Sequence, residues 1–249
     1  MKKSLLAVCV LAIATIAVGI YVWARDDTKP DAKSPPAKTI TNTPAVESNG
    51  SFNKQQFSTT DPNSIWVIVN KKHPLPGGFV PNDLVVPNVP LNLSSDNQQM
   101  HVSSAMAPSL ATLFAGARNA GLSLKLNSGY RSEALQKQLF DSYAARDGAA
   151  GAATYSAYPG TSEHQTGFAS DVMAASGQCT LEICFADTPE GQWLTAHAHE
   201  YGFIIRYPQG KQSITTYQYE PWHIRFAGKE LATQLYSSGL TVEEFFGYN

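Results

Sequence analysis

Apolar positions recur at regular spacings after residue 64, and these spacings predict an order of helices and strands. A helix is predicted from Ser103 or Ser104 to Ala120, and Ser132 is a suitable N-cap for a second helix over 133–145, followed by a Gly/Ala-rich loop over 147–154. Further helices are predicted over 189–201, 229–237 and 242–246. Strands are predicted over 65–69, 122–126, 168–172, 203–206, 214–219 and 222–226.

Residues 64–249 are expected to form one domain. Helices and strands do not alternate regularly there, as they would around a parallel α/β sheet. The segment from Thr216 to Tyr219 has a pattern typical of an antiparallel strand. The expected fold class is therefore α+β, with a small, mostly antiparallel sheet flanked by helices.

Residues 1–24 have the pattern of a targeting segment. Lys2 and Lys3 precede an almost uncharged apolar run that extends to Ala24. The run is long enough to cross a bilayer as a helix, and Val22 with Ala24 also forms an acceptable cleavage site. An uncleaved membrane anchor and a cleaved signal peptide both remain open. Either one places the rest of the chain outside the cytoplasm, in the periplasm or at the cell surface.

Residues 25–63 are a polar segment between the targeting segment and the predicted domain. They are rich in Pro, Thr, Ser, Asn, Asp and Lys, and Ile40 and Val46 are the only large aliphatic residues. Such a sequence buries too little apolar surface to offset the entropy lost on ordering. A disordered tether is expected.

Composition and charge narrow the functional classes. The chain is 43% hydrophobic and 15% charged, as in ordinary globular proteins. Its formal net charge of -2 offers no basic surface for phosphates, so no nucleic-acid partner is expected, and a monomer is expected. Cys179 and Cys184 are an even pair outside the targeting segment, and in an oxidising compartment they are expected to form a disulfide.

Two polar, Gly-rich segments contain the candidate chemistry: Tyr158–Asp171 and Glu220–His223. A catalytic zinc needs three protein ligands from His, Asp and Glu and one position open for water. Three residues of these segments supply that set: His164, Asp171 and His223. Glu220 is then free to act as a base on the water.

The spacing of these residues indicates how the site is built. Gly167 interrupts any helix between His164 and Asp171, and Pro221 argues against a metal-binding helix around Glu220. A zinc site on strands and loops is therefore expected.

Three motifs together resemble a known family: Ser128-Gly-Tyr-Arg131, Ser162-Glu-His-Gln-Thr-Gly-Phe-Ala-Ser-Asp171 and Glu220-Pro-Trp-His223. In order and spacing they are similar to the signatures of the VanY-type D-alanyl-D-alanine carboxypeptidases, which include LdcB-like L,D-carboxypeptidases. That family belongs to the LAS superfamily, with lysostaphin and the hedgehog zinc domain. The resemblance covers about residues 81–249 and implies the zinc peptidase fold of that superfamily.

The resemblance also implies roles for individual residues. His164, Asp171 and His223 would bind Zn²⁺, and Glu220 would be the general base. The substrate pocket would be lined by Arg131, Gln136, Ser162 and Tyr207. Arg131 suits this role on chemical grounds as well, because a planar guanidinium matches the two oxygens of a terminal carboxylate, or stabilises an oxyanion in catalysis.

The implied reaction is removal of the terminal D-alanine from peptidoglycan stem peptides. The pocket residues match the L,D branch, which favours cleavage of tetrapeptides, with D,D cleavage of pentapeptides as the alternative. A peptidoglycan endopeptidase would need an open groove on both sides of the zinc. A non-catalytic zinc-containing cell-wall module would have no need of a base such as Glu220.

Overall fold

The computed structural model describes residues 52–248, so the predicted targeting segment and most of the predicted tether lie outside the described residues. The strands are β1 (Leu84–Val85), β2 (Val102–Ser103), β3 (Leu124–Ser128), β4 (Ala169–Ala174), β5 (Phe203–Ile205) and β6 (His223–Phe226). The helices are α1 (Ala107–Asn119), α2 (Glu133–Ala152), α3 (Pro189–His197), α4 (Gln212–Thr215), α5 (Lys229–Ser238) and α6 (Val242–Phe246). None of the described helices is both long and apolar enough to cross a membrane.

The main sheet has four antiparallel strands in the order β3-β4-β6-β5, and β1 pairs with β2 in a separate two-stranded sheet. Every residue of the central strands β4 and β6 is buried. The apolar face of α1 contributes to the same core as Val172 and Ile224 of these strands. Burying one such side chain stabilises the fold by about 1.5–3 kcal/mol. The predicted α+β class with a small antiparallel sheet is confirmed.

Local signals explain most helix boundaries. Ser132 caps α2 as expected, because its hydroxyl accepts a hydrogen bond from the backbone of Leu135. The first helix starts later than predicted, at Ala107, because Ser103 lies in β2 and donates its hydroxyl to Asp83. The predicted loop over 147–154 is largely wrong, since α2 continues to Ala152 across a break at Gly148.

Two predicted strands are absent from the described residues. Over 65–69 the side chains are mostly buried, but the carbonyls of Ile65 and Val67 accept hydrogen bonds from Arg225 rather than from a neighbouring strand. Over 214–219 the chain forms the end of α4 and then a turn at Thr216, whose φ of 68° is incompatible with a strand. Alternating polarity over 214–219 therefore reflects burial of Tyr217 rather than strand pairing.

The ordered domain begins earlier than residue 64. Phe52 stacks on Trp66 with ring centroids 5.4 Å apart and packs edge-on against Phe245 at 5.2 Å. The hydroxyl of Thr59 lies 2.8 Å from that of Tyr248. Aromatic contacts therefore attach residues 52–63 to the C-terminal part of the domain, and the predicted tether is too long at this end. The prediction considered only the aliphatic residues of this segment and not its aromatic ones.

The predicted disulfide is confirmed. Cys179 and Cys184 are joined, with their Cα atoms 5.6 Å apart. Both Cys179 and Leu181 have positive φ angles, which turn the chain back on itself between the two cysteines. The closed loop brings Leu181 to the pocket described below.

Candidate active site

The sheet places two of the candidate metal ligands side by side. Asp171 of β4 and His223 of β6 are register partners, and Asp171 also pairs with Ser128 at the end of β3. Side chains of directly opposite residues on neighbouring strands lie close together. Antiparallel pairing therefore brings together residues that are 52 positions apart in the sequence.

The third candidate ligand lies on the turn that leads into β4. His164 belongs to a 3₁₀ helix over Glu163–Thr166, which ends at Gly167 with a φ of 75°. A Cβ atom at this glycine would lie 3.0 Å from the backbone nitrogen of Ser103 and 3.1 Å from Leu84. Only glycine combines this left-handed conformation with so close an approach.

His164 is fixed by the segment that contains Arg131. The ring Nδ1 donates to the carbonyl of Gly129 at 2.6 Å, and the backbone N–H of Arg131 donates to the carbonyl of His164 at 3.1 Å. A side chain at Gly129 is excluded, because its Cβ would lie 2.3 Å from the carbonyl oxygen of His101. The first two motifs of the sequence are therefore in direct contact.

The three candidate ligands form a compact buried group. Their ligand atoms all lie within 4.8 Å of one another. His164 Nε2 is 3.3 Å from Asp171 Oδ2, and His223 Nδ1 is 3.2 Å from Asp171 Oδ1. Bond lengths of about 2.0–2.2 Å to a tetrahedral zinc separate neighbouring ligand atoms by roughly 3.3–3.5 Å, so the spacing fits this ion.

The protonation of His164 also fits a bound cation. Burial and the neighbouring Arg131 lower the pKa of His164, which favours its neutral ring. Since Nδ1–H is donated to a carbonyl, Nε2 carries the lone pair and faces an oxygen of Asp171. Asp171 Oδ1 is buried and has no hydrogen-bond donor among the described residues. A shared cation would satisfy acceptors that face one another in this way.

Glu220 lies beside this group on the turn before β6. Its backbone N–H donates to the carbonyl of Tyr207, and its own carbonyl accepts from the backbone of His223. The carboxylate Oε2 is 3.7 Å from His223 Nδ1. Burial raises the pKa of Glu220 to about 8, which is a suitable range for a group that takes up and releases protons near neutral pH.

One pocket of about 190 Å³ contains these groups. Of the predicted substrate-binding residues, Arg131, Ser162 and Tyr207 line it. Tyr207 packs against His223 with ring centroids 4.9 Å apart. Ser162 is buried at the start of the 3₁₀ helix and makes no side-chain capping bond to it.

Gln136 lies behind Arg131 rather than on the pocket wall. Its Oε1 accepts a hydrogen bond from Arg131 Nη1 at 2.9 Å, while its amide nitrogen donates to Ser156 and to the carbonyl of Ala157. Arg131 Nη2 also donates to Ser128 and lies 3.6 Å from Asp171 Oδ2. Gln136 therefore positions the guanidinium, and its direct contact with substrate stays a prediction.

Several further residues at the pocket were not singled out from the sequence, among them Glu163, Leu181 and Tyr217. Tyr217 is buried, and its hydroxyl has no hydrogen-bond partner within the described residues. Glu163 lies within a quoted motif, yet a glutamate in a loop carries no signal of burial. Its carboxylate oxygen Oε2 is 3.5 Å from His223 Nε2.

The fold and site define a class of protein. A buried His/Asp/His group with a carboxylate and a guanidinium in the same pocket is the arrangement of a metal-dependent hydrolase. The family model described as VanY, D-alanyl-D-alanine carboxypeptidase, matches residues 99–229, just over half of the chain. The chain belongs to this family.

Known relatives agree with this assignment. The putative carboxypeptidase YodJ of Bacillus subtilis (strain 168) is 42% identical over 186 residues, which cover 75% of this chain and 68% of YodJ. The structure of the LdcB LD-carboxypeptidase is 42% identical, with a TM-score of 0.71 over 75% of this chain and 87% of that chain. A mutant form of the vancomycin-resistance D,D-pentapeptidase VanY, in complex with Zn(II), is 33% identical, with a TM-score of 0.58 over 72% and 97%.

The predicted family, fold and enzyme class are therefore confirmed. The three candidate ligands, His164, Asp171 and His223, are called the metal-competent group below. This group and the Zn(II) complex of a relative together bear out zinc as the cofactor. The roles of the individual residues stay predictions.

Proposed function

We propose that this protein is a zinc-dependent carboxypeptidase that removes the terminal D-alanine from peptidoglycan stem peptides, with tetrapeptides as its preferred substrates. One observation carries the proposal: a single pocket holds the metal-competent group, the carboxylate of Glu220 and the guanidinium of Arg131. A metal site, a base and an anion-binding group are the parts that hydrolysis next to a free carboxylate requires.

Each residue has a defined role in this proposal. His164, Asp171 and His223 hold the zinc, which when bound polarises the scissile carbonyl and lowers the pKa of water. Glu220 accepts the proton of the attacking water and passes it to the departing amine of D-alanine. Arg131 binds the terminal carboxylate, so that the last peptide bond is the one presented for attack.

Removal of the metal tests the role of the three ligands. The protein is expected to contain about one zinc ion per chain and to lose activity when a strong chelator removes it, because three protein ligands bind zinc tightly yet leave it exchangeable. Elemental analysis and activity before and after chelation, with zinc added back as the control, measure this. Full activity in protein with less than about half a zinc per chain would contradict the assignment.

Similarity to a known L,D-carboxypeptidase supports the preference for tetrapeptides. Tetrapeptide cleavage places an L-configured centre before the scissile bond, whereas D,D cleavage places a D-configured centre there. Inversion of an α-carbon exchanges side chain and hydrogen, so a close-fitting pocket favours one configuration. The chain is more similar to the LdcB LD-carboxypeptidase than to the VanY D,D-pentapeptidase in both identity and TM-score.

Defined stem peptides test this preference. Tetrapeptide is expected to be converted to tripeptide at least about tenfold more efficiently than pentapeptide to tetrapeptide, which corresponds to about 1.4 kcal/mol in transition-state binding. Mass spectrometry of the products from tripeptide, tetrapeptide and pentapeptide stems gives both rates. Equal or reversed efficiencies would refute the preference for tetrapeptides while leaving the carboxypeptidase proposal intact, and cleavage inside cross-linked dimers would instead identify an endopeptidase.

Such a substrate places the enzyme outside the cytoplasm, on the periplasmic or outer side of the membrane. The disulfide between Cys179 and Cys184 supports an oxidising compartment. Residues 1–24 serve in this proposal as either a cleaved signal peptide or a retained anchor, and a monomer is proposed. N-terminal sequencing of the mature protein distinguishes cleavage from retention.

A further inference from the structure

Four charged side chains form a buried cluster next to the metal-competent group: Glu163, Arg206, Arg225 and Glu243. Glu163 Oε1 accepts hydrogen bonds from Arg206 Nε at 2.7 Å and from Arg225 Nη1 at 2.8 Å. Arg206 also binds both oxygens of Glu243, at 2.6 and 2.9 Å. Burying two carboxylates and two guanidinium groups is costly, so the cluster calls for a functional explanation.

The two oxygens of Glu163 are used differently. Oε1 is occupied by the two arginines, whereas Oε2 is buried, accepts no hydrogen bond from residues 52–248 and lies 3.5 Å from Nε2 of His223. Nε2 of His223 is itself buried and has no hydrogen-bond partner in the part of the chain that the structure describes. These two unpartnered atoms therefore face one another, a few tenths of an ångström beyond hydrogen-bond distance.

The other nitrogen of His223 faces the metal-competent group. Nδ1 lies 3.2 Å from Asp171 Oδ1 and is the atom available to a metal. A neutral imidazole has one proton, so Nδ1 offers a lone pair only when the proton is on Nε2. Glu163 Oε2 is the acceptor next to that proton. Metal-binding histidines commonly donate their second nitrogen to a carboxylate in this way.

We propose that Glu163 is a positioning residue that holds His223 in the Nε2–H form and orients its Nδ1 towards the metal. Arg206 and Arg225 fix the carboxylate from the opposite side, so that Oε2 stays directed at the ring. Arg225 lies on β6 two positions after His223, and Arg206 directly follows β5. The proposal rests on the zinc site of the proposed function.

Glu243 provides a matched control for Glu163. Both carboxylates are buried and both bind Arg206, so loss of either charge leaves the same guanidinium short of a partner. Glu243 also accepts a hydrogen bond from the side chain of Asn70. Within residues 52–248 it forms no hydrogen bond or ion pair with His223. A general effect of the charge cluster on stability should therefore be common to both variants.

The experiment compares Glu163→Gln and Glu243→Gln with the wild-type protein. Both variants are expected to unfold at lower temperature, but only Glu163→Gln should bind zinc about 10- to 100-fold more weakly in competition with a chelator. Only Glu163→Gln should also change the visible absorption of the Co(II)-substituted protein, which reports on ligand geometry. Equal zinc affinities and equal Co(II) spectra in the two variants would overturn the proposal.

A double variant maintains the test if Glu163→Gln does not fold. Combining Glu163→Gln with Arg225→Gln removes one positive and one negative charge together, keeps an N–H donor at position 225 for the carbonyls of Ile65 and Val67, and leaves the pair of Arg206 with Glu243 in place. The double variant is expected to show the same loss of zinc affinity, and wild-type affinity in it would overturn the positioning role. A wild-type protein that binds no zinc would instead refute the proposed function, which separates the two outcomes.

Discussion

Glu220→Gln is expected to retain its zinc and its fold while its turnover of stem peptide falls by roughly 100-fold or more, the usual contribution of general acid-base catalysis. Glutamine matches glutamate in shape but cannot accept the proton of water. Glu220 lies outside the three-residue metal group, and its Oε2 is 3.7 Å from His223 Nδ1. Burial, which raises its pKa to about 8, already favours an uncharged side chain in the metal-free pocket, so the amide should be well tolerated.

Asp171→Asn is the matched contrast, since it also exchanges a buried carboxylate for an amide of the same shape. This variant should lose zinc and activity together, because an amide is a much poorer ligand for zinc. Zinc content, circular dichroism and turnover of a stem tetrapeptide, measured on both variants, separate loss of the base from loss of the metal. A normal rate in Glu220→Gln would show that another group takes the proton.

Much of the fold could be predicted where a local signal decides the structure. The cap at Ser132 and the strands around Asp171 and His223 follow from short-range patterns, and the structure has them near the expected residues. The predictions of the two strands that are absent from the described residues were wrong for a different reason. Residues 65–69 are apolar enough for a strand, but whether a strand forms depends on which groups satisfy its backbone, and here the side chain of Arg225 does so.

The candidate site divides in the same way. The sequence was sufficient to identify four site residues, His164, Asp171, Glu220 and His223. Their histidine and carboxylate side chains lie in short motifs whose order and spacing resemble those of a known family. Glu163 was not identifiable in this way, because its environment is created by two arginines that lie 43 and 62 positions further along the chain. Nothing local in the sequence indicates that these groups converge. Long-range ion pairs are set by tertiary structure, which a single sequence does not display.

Gln136 illustrates an intermediate case. Its place near Arg131 followed from their separation of five positions, and Arg131 Nη1 does donate to its Oε1. Its burial did not follow, because the partners of its amide nitrogen are Ser156 and Ala157, beyond the end of α2. That Gln136 lies near Arg131 was predictable from their spacing, whereas the orientation of its amide away from the pocket was not.

Arg131→Ala is expected to reduce kcat/KM for a stem tetrapeptide by roughly 100-fold or more, because loss of one partner of a desolvated charge pair costs about 2–5 kcal/mol. The guanidinium is mostly buried, and Gln136 and Ser128 already hold two of its nitrogens, so little reorganisation is needed for it to bind a carboxylate. Zinc content should not fall, since the variant removes a positive charge 3.6 Å from Asp171.

A substrate whose terminal carboxylate is replaced by a carboxamide isolates the role of Arg131. The wild-type enzyme should cleave the amide much more slowly than the free acid, whereas Arg131→Ala should cleave the two at similar low rates, because the group that distinguishes them is absent. Arg131→Lys serves as the control, because it keeps the charge but loses the planar pair of donors. Its preference for the free acid over the amide should lie between those of the wild type and Arg131→Ala. If Arg131→Ala still prefers the free acid as strongly as the wild type does, Arg131 does not bind the terminal carboxylate. Its effect on rate would then arise from stabilising charge on the scissile carbonyl.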